Sequence, residues 1–123
     1  MAKLVYPELS YEIVGILFTV YNNLRYGYQE KYYQRAIAAE LKKANLHYKQ
    51  EQKAAIKYKG NIIGQYFIDF VIENKIVVEI KISNNFYKKD SNQVLGYLRA
   101  TGLKLGVLFI FAKDGLSFKR IVN

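Results

Sequence analysis

The chain has no cysteine and no tryptophan, one proline (Pro7), one methionine and one histidine (His47). Without cysteine it forms no disulfides and no thiolate zinc site, and the composition suits a reducing compartment; a cytoplasmic location is expected. One histidine leaves His-based metal cages and Ser-His-Asp catalysis almost without material. Gly60, Gly64, Gly102 and Gly106 are scattered and build no G-x-x-x-x-G-K loop, so no nucleotide cofactor is expected. The longest apolar stretch, Ile13 to Val20, falls far short of the roughly 20 residues that cross a bilayer. Glu8 and Glu12 precede it and no small-residue cleavage site follows, so neither a membrane partner nor a signal peptide is expected.

Acidic residues are the other shortage. Ten Asp and Glu face nineteen Lys and Arg, a net charge of +9. Such an excess favours polyanionic partners, because each phosphate neutralised releases counterions. Solubility alone is the competing explanation. At 123 residues, 51% of them hydrophobic, the chain is expected to form one domain over residues 1–123, burying about two-thirds of its unfolded surface.

Pro7-Glu8-Leu9-Ser10 reads as a helix start with Ser10 as N-cap, and Ile13, Ile16, Leu17, Val20 and Leu24 follow at helical spacing. Gly27 ends this helix or makes the bend after it. A second helix is expected from Gln29 to Ala44, with Tyr33, Ile37, Leu41 and Ala44 on one stripe. His47–Lys57 reads as a strand, Tyr58-Lys59-Gly60-Asn61 as a turn, and Ile62–Ile72 as a strand with a bulge at Gly64. Glu73-Asn74-Lys75 is a tight turn before Ile76–Ile82, the richest β-branched run. A polar loop over Ser83–Lys89 leads to a helix from Ser91 to Ala100. Strands at Leu105–Phe111 and Leu116–Val122 flank the turn Lys113-Asp114-Gly115. The order ααβββαββ predicts an α/β (α+β) fold, a mixed β-sheet flanked by helices.

The chemistry concentrates on the hairpin around Asn74. Asp69 and Glu79 each lie five residues from the turn centre, so an antiparallel hairpin sets them opposite one another, with Lys81 on the same face. Phe70, Ile72, Val78 and Ile80 point the other way, into core. Two facing carboxylates repel unless something neutralises them, and a divalent cation does so. Mg²⁺ or Mn²⁺ takes one or two carboxylates and completes its shell with water and phosphate. Lys81 can orient a water or stabilise charge developing on phosphorus. The plainer alternative is an exposed surface ion-pair cluster, which contributes little. Against it, both acids sit within the most apolar strands.

The spacing of Asp69, nine residues, then Glu79-x-Lys81 resembles the core motif of the PD-(D/E)XK nuclease superfamily, and the order of elements matches its restriction-endonuclease-like core. Gln93-Val94-Leu95-Gly96-Tyr97 resembles the Gln-x-x-x-Tyr motif of the RecB-like branch. Gly27-Tyr28-Gln29-Glu30-Lys31-Tyr32-Tyr33 is similar to the signature of the GxxExxY family. The resemblance implies a metal-dependent nuclease in which Asp69 and Glu79, joined by the Ile80 carbonyl and by Glu30, hold the metal. Lys81 acts at the water or the transition state, and Gln93 and Tyr97 position the substrate. Tyr33 packs beside Glu30, as core or as a substrate contact. Two positions depart from the pattern: Ile68 replaces the proline that names the superfamily, and Phe67 stands where an arginine is frequent.

Outside those motifs, tyrosines interleaved with lysines suit base stacking and phosphate contact. Tyr87, Lys88 and Lys89, in the loop after the Glu-x-Lys strand, are the foremost substrate-contact candidates; a solvated loop explains them as well. The expected partner is nucleic acid, DNA before RNA. Little room remains for a specificity domain, which leaves a role for a homodimer or a targeting partner. The rival readings are a non-catalytic nucleic-acid-binding or protein-interaction module on the same fold, and a structural partner that buries its tyrosine-rich surface.

Overall fold

A proline at the first helical position needs no amide hydrogen there, and Pro7 starts the first helix in this way. The computed structural model describes residues 4–123. Its elements are α1 (Pro7–Leu24), α2 (Glu30–Lys43), β1 (Tyr48–Tyr58), β2 (Asn61–Ile72), β3 (Ile76–Ile82), α3 (Lys88–Thr101), β4 (Leu105–Ala112) and β5 (Gly115–Val122). This is the expected order. The cap of α1 is Tyr6, left-handed at φ 48°, rather than Ser10. Ser10 lies inside the helix, where its hydroxyl donates to the Pro7 carbonyl and accepts a hydrogen bond from Arg120 of β5. The first helix therefore begins earlier than its polar residue suggested.

The five strands lie side by side in sequence order; β3 and β4 run parallel and the other pairs antiparallel. The α3 crossover makes the parallel pair possible. Helices cover both faces. On one, Ile13, Leu17, Tyr33, Ile37 and Leu41 of α1 and α2 pack on Phe70, Ile72, Val78, Ile80 and Phe109. On the other, Val94, Tyr97 and Leu98 of α3 pack on Val71, Val77, Leu108 and Ile110. β3 and β4, buried on both faces for most of their length, are mostly apolar for that reason, with Glu79 and Lys81 the charged exceptions.

The turn between β2 and β3 has Glu73 and Asn74 at φ 55° and 53°, the left-handed pair that a tight hairpin requires. Pairing follows the expected register at Ile72–Ile76, Val71–Val77 and Phe70–Val78, then stops. Asp69 and Glu79 are thus the first residues past the end of the ladder, rather than a directly paired couple within it. Strict alternation also fails here. Phe70 and Ile72 belong to the α1/α2 core, whereas Ile68 and Tyr66 join the α3 core. The face changes at Asp69, and across the ladder Glu51 has φ 49°. A left-handed residue opposite the turnover gives the ribbon its local twist.

Beyond that point the β1–β2 hairpin leaves the sheet as a two-stranded arm. It leans on α3 through Tyr66, whose ring meets Tyr97 edge-on with centroids 5.0 Å apart. The expected bulge is present beside Gly64: pairing passes from Ile56–Gly64 to Lys57–Ile62 and skips Ile63. α3 begins at Lys88, three residues before the expected Ser91.

Gly106 fixes how closely α3 approaches β4, since a methyl group there would collide with Val94 Cγ1. The contact is buried, so Val94 has no room to yield. Gly106→Ala is expected to cost about 1–3 kcal/mol by overpacking. Thermal unfolding followed by circular dichroism reads this as a fall of several degrees, and an unchanged midpoint would contradict the packing described.

Candidate active site

Where β2 departs from β3, backbone groups on β3 lose their partners and side chains must replace them. Asp69 does this directly: Oδ2 accepts the Ile80 N–H at 2.9 Å. Its other oxygen accepts a hydrogen bond from Gln34 Nε2 of α2 at 3.3 Å. The two donors fix the carboxylate in the angle between the strands. The N–H and C=O of a strand residue point to the same side. The Ile80 carbonyl therefore opens towards Asp69, while the Ile80 side chain is core.

Glu79 stands beside this group on β3, only 3% exposed. Its Oε2 lies 3.3 Å from Lys81 Nζ and 3.5 Å from the Tyr97 hydroxyl. The other oxygen, Oε1, is buried and, among the described residues, has no hydrogen-bond partner. Burial, followed by the negative charge of Asp69, pushes the Glu79 pKa up to about 8, with Lys81 opposing. Burial likewise raises Asp69, against the stabilising hydrogen bond from Ile80. The surroundings thus accommodate one negative charge on this pair better than two.

Glu30 opens α2 at the rim of the site. Desolvation and the Asp69 charge raise its pKa, while Lys81 lowers it, so it stands within the field of both. Tyr97 reaches in from α3, its hydroxyl also 3.5 Å from the Phe67 carbonyl. Burial and the Glu79 and Asp69 charges raise its pKa, so it remains a hydrogen-bond donor. Gln93, one turn earlier on α3, is half-buried and, among the described residues, makes no side-chain hydrogen bond.

Some expected contacts fall elsewhere. Tyr33 is fully buried, its ring tilted against Phe111 at 4.5 Å between centroids, with its hydroxyl donating to the Arg25 carbonyl. It is a core residue, out of reach of a substrate. Tyr87 is exposed, but Lys88 and Lys89 form the first turn of α3 rather than a loop, with Lys89 Nζ 5.7 Å from the Tyr87 ring. Sequence reasoning missed Gln34. Its signal is the i, i+4 spacing from Glu30, which sets both on one face of α2.

The residues suit a divalent cation: two hard carboxylates, one with an orphaned oxygen, in a setting that disfavours their double charge. Among the described residues no cluster of three or more His, Cys, Asp or Glu is placed to hold an ion. Mg²⁺ needs no such cage, because it commonly uses one or two carboxylates and fills its shell with water and phosphate.

A mixed sheet with helices on both faces, carrying an acid–acid–lysine cluster where two strands part, has the architecture of a nuclease fold. The chain belongs to the PD-(D/E)XK nuclease superfamily, whose family model matches residues 7–121. Among solved structures it is similar to SSO0001, with 20% identity and a TM-score of 0.56 over 96% of this chain and 57% of that one. It therefore spans little more than half the length of that protein. An alkaline exonuclease (LHK-Exo) from Laribacter hongkongensis shares the fold at 10% identity and a TM-score of 0.56, covering all of this chain and 72% of its own. No curated protein sequence matches.

The raised Glu79 pKa has a consequence for stability. Below the ordinary value of 4.5 both folded and unfolded states hold the proton and nothing is lost. Between 4.5 and about 8 the unfolded chain ionises while the folded one resists, so metal-free stability falls as pH rises through this window. Glu79→Gln should flatten that slope and leave the variant more stable than wild type at pH 8, by on the order of a few kcal/mol. Urea unfolding in EDTA across this range tests it; parallel profiles for the two proteins would contradict it.

Proposed function

We propose that the chain is a divalent-metal-dependent hydrolase of phosphodiester bonds, of the RecB-like branch and the GxxExxY type. The observation that carries this reading is the buried, unpartnered Glu79 Oε1 beside Asp69, with Lys81 against the same carboxylate. Asp69 and Glu79 would hold Mg²⁺ or Mn²⁺, with the Ile80 carbonyl on the same side and Glu30 at the rim. When bound, such an ion lowers the pKa of a water and polarises the phosphate.

The remaining roles belong to the chain itself. Gln34 and the Ile80 N–H hold the Asp69 carboxylate in one orientation, so it needs no rearrangement when substrate arrives. Tyr97, which stays protonated, steadies Glu79 from the α3 side. Lys81, half-exposed on its flexible stem, reaches from Glu79 to the attacking water or to a phosphate oxygen. Gln93, Tyr87, Lys88 and Lys89 lie on or beside α3, where they can contact a nucleic-acid backbone. The net charge of +9 favours such a partner at long range, and DNA is the proposed substrate ahead of RNA.

Cleavage of single- and double-stranded DNA and RNA with Mg²⁺, Mn²⁺ or EDTA, comparing wild type with Lys81→Ala, tests this reading. The expected outcome is a product that requires metal and a rate about a hundredfold or more lower in the variant. Folded wild-type protein that binds nucleic acid and cuts none of it would contradict the assignment.

A further inference from the structure

Phe67 is large, apolar and 57% exposed, on a strand whose neighbouring residues Ile68 and Phe70 are fully buried. Ile68 beside it joins the α3 core, so the Phe67 side chain leaves the opposite side of β2, the side from which Gln34 of α2 meets Asp69. Three features define its setting. Its carbonyl lies 3.5 Å from the Tyr97 hydroxyl, the group that also faces Glu79. Directly across the ladder stands Lys53, an exposed cation. On its other side the strand has no partner among the described residues, because β2 has already separated from β3 at Phe70.

Phe67 and Lys53 thus present an aromatic face and a positive charge on one wall of the angle that holds Asp69. The arm from Gln52 to Ile68 carries Lys53, Lys57 and Lys59 and no acidic residue. A ring beside a cation suits an unpaired nucleotide, whose base offers a π-face and whose backbone offers a phosphate. A base inside a duplex has both faces occupied and offers neither to this wall.

We propose that Phe67, with Lys53 beside it, is a stacking platform for an unpaired base next to the phosphate held at Asp69 and Glu79, and that it selects single-stranded nucleic acid over duplex. This rests on the proposed nuclease site, whose substrate it specifies. The aromatic ring occupies the position where the superfamily pattern suggested a basic contact, and it replaces charge recognition with stacking.

The test is equilibrium binding in EDTA, where nothing is cut, of a short single-stranded DNA carrying 2-aminopurine and of the same sequence as a duplex. Wild type should bind the single strand more tightly and quench the probe. Phe67→Ala should weaken single-strand binding by about tenfold and abolish quenching while duplex affinity stays put, and Phe67→Trp should restore both. Equal losses on the two substrates, or a Phe67→Ala protein that binds and quenches like wild type, would overturn the proposal. So would a Phe67→Ala protein that changes from dimer to monomer with DNA binding intact, which would make this wall a contact between copies of the chain. Because the readout is binding, its failure is separable from that of the nuclease reading. A wild type that stacks the probe but never cleaves loses only the nuclease assignment, and one that cleaves but ignores Phe67 loses only the platform.

Discussion

Two neighbouring carboxylates in a β-sheet, one buried and one half-buried, are expensive unless something answers their charge, and this protein places such a pair where two strands separate. The ladder between β2 and β3 stops at Phe70 and Val78, and the next residue on each strand is acidic. Asp69 repairs the broken ladder by accepting the Ile80 N–H; Glu79 keeps one buried oxygen that accepts no hydrogen bond among the described residues. Sheet geometry and electrostatics meet at that point. The separation creates room for an ion and a phosphate, and the acids supply the reason for one to enter.

The surrounding elements follow from holding that angle open. α2 brings Glu30 and Gln34 from one side, and α3 brings Tyr97 from the other. The β1–β2 arm turns over at Glu51 and Asp69 and leans on α3 through Tyr66, next to Gly96. Gly96 lies inside the Gln-x-x-x-Tyr stretch, where a side chain would press on the Tyr66 hydroxyl, 2.6 Å from the position of its Cβ. The motif therefore carries a packing requirement as well as the tyrosine that faces Glu79.

Much of this was legible in the residues. The hairpin register was, because Glu73-Asn74 fixes the turn and β-branched runs flank it. The element order was too, since helical and strand periods alternate cleanly. What the sequence concealed came from tertiary forces. Ile68 and Phe70 look like neighbours on one face, yet belong to different cores, because the left-handed backbone of Glu51 and the pull of α3 turn the ribbon between them. Tyr33 reads as core ahead of contact, and the Phe111 ring against it decides for core. The first turn of α3 hid behind two lysines, which the helix dipole disfavours at that end. Gln34 belonged to no motif, and only its contact with Asp69 reveals it.

Calorimetric titration of Mn²⁺ into the metal-free protein near pH 7, repeated with Asp69→Asn and in buffers of different ionisation heat, addresses the central claim most directly. The account predicts one saturable site, lost or weakened at least tenfold in the variant. It also predicts proton release on binding, because the metal-free carboxylates hold more proton than their ordinary pKa values allow. Binding that survives the substitution unchanged, or no binding by folded wild type, would contradict it.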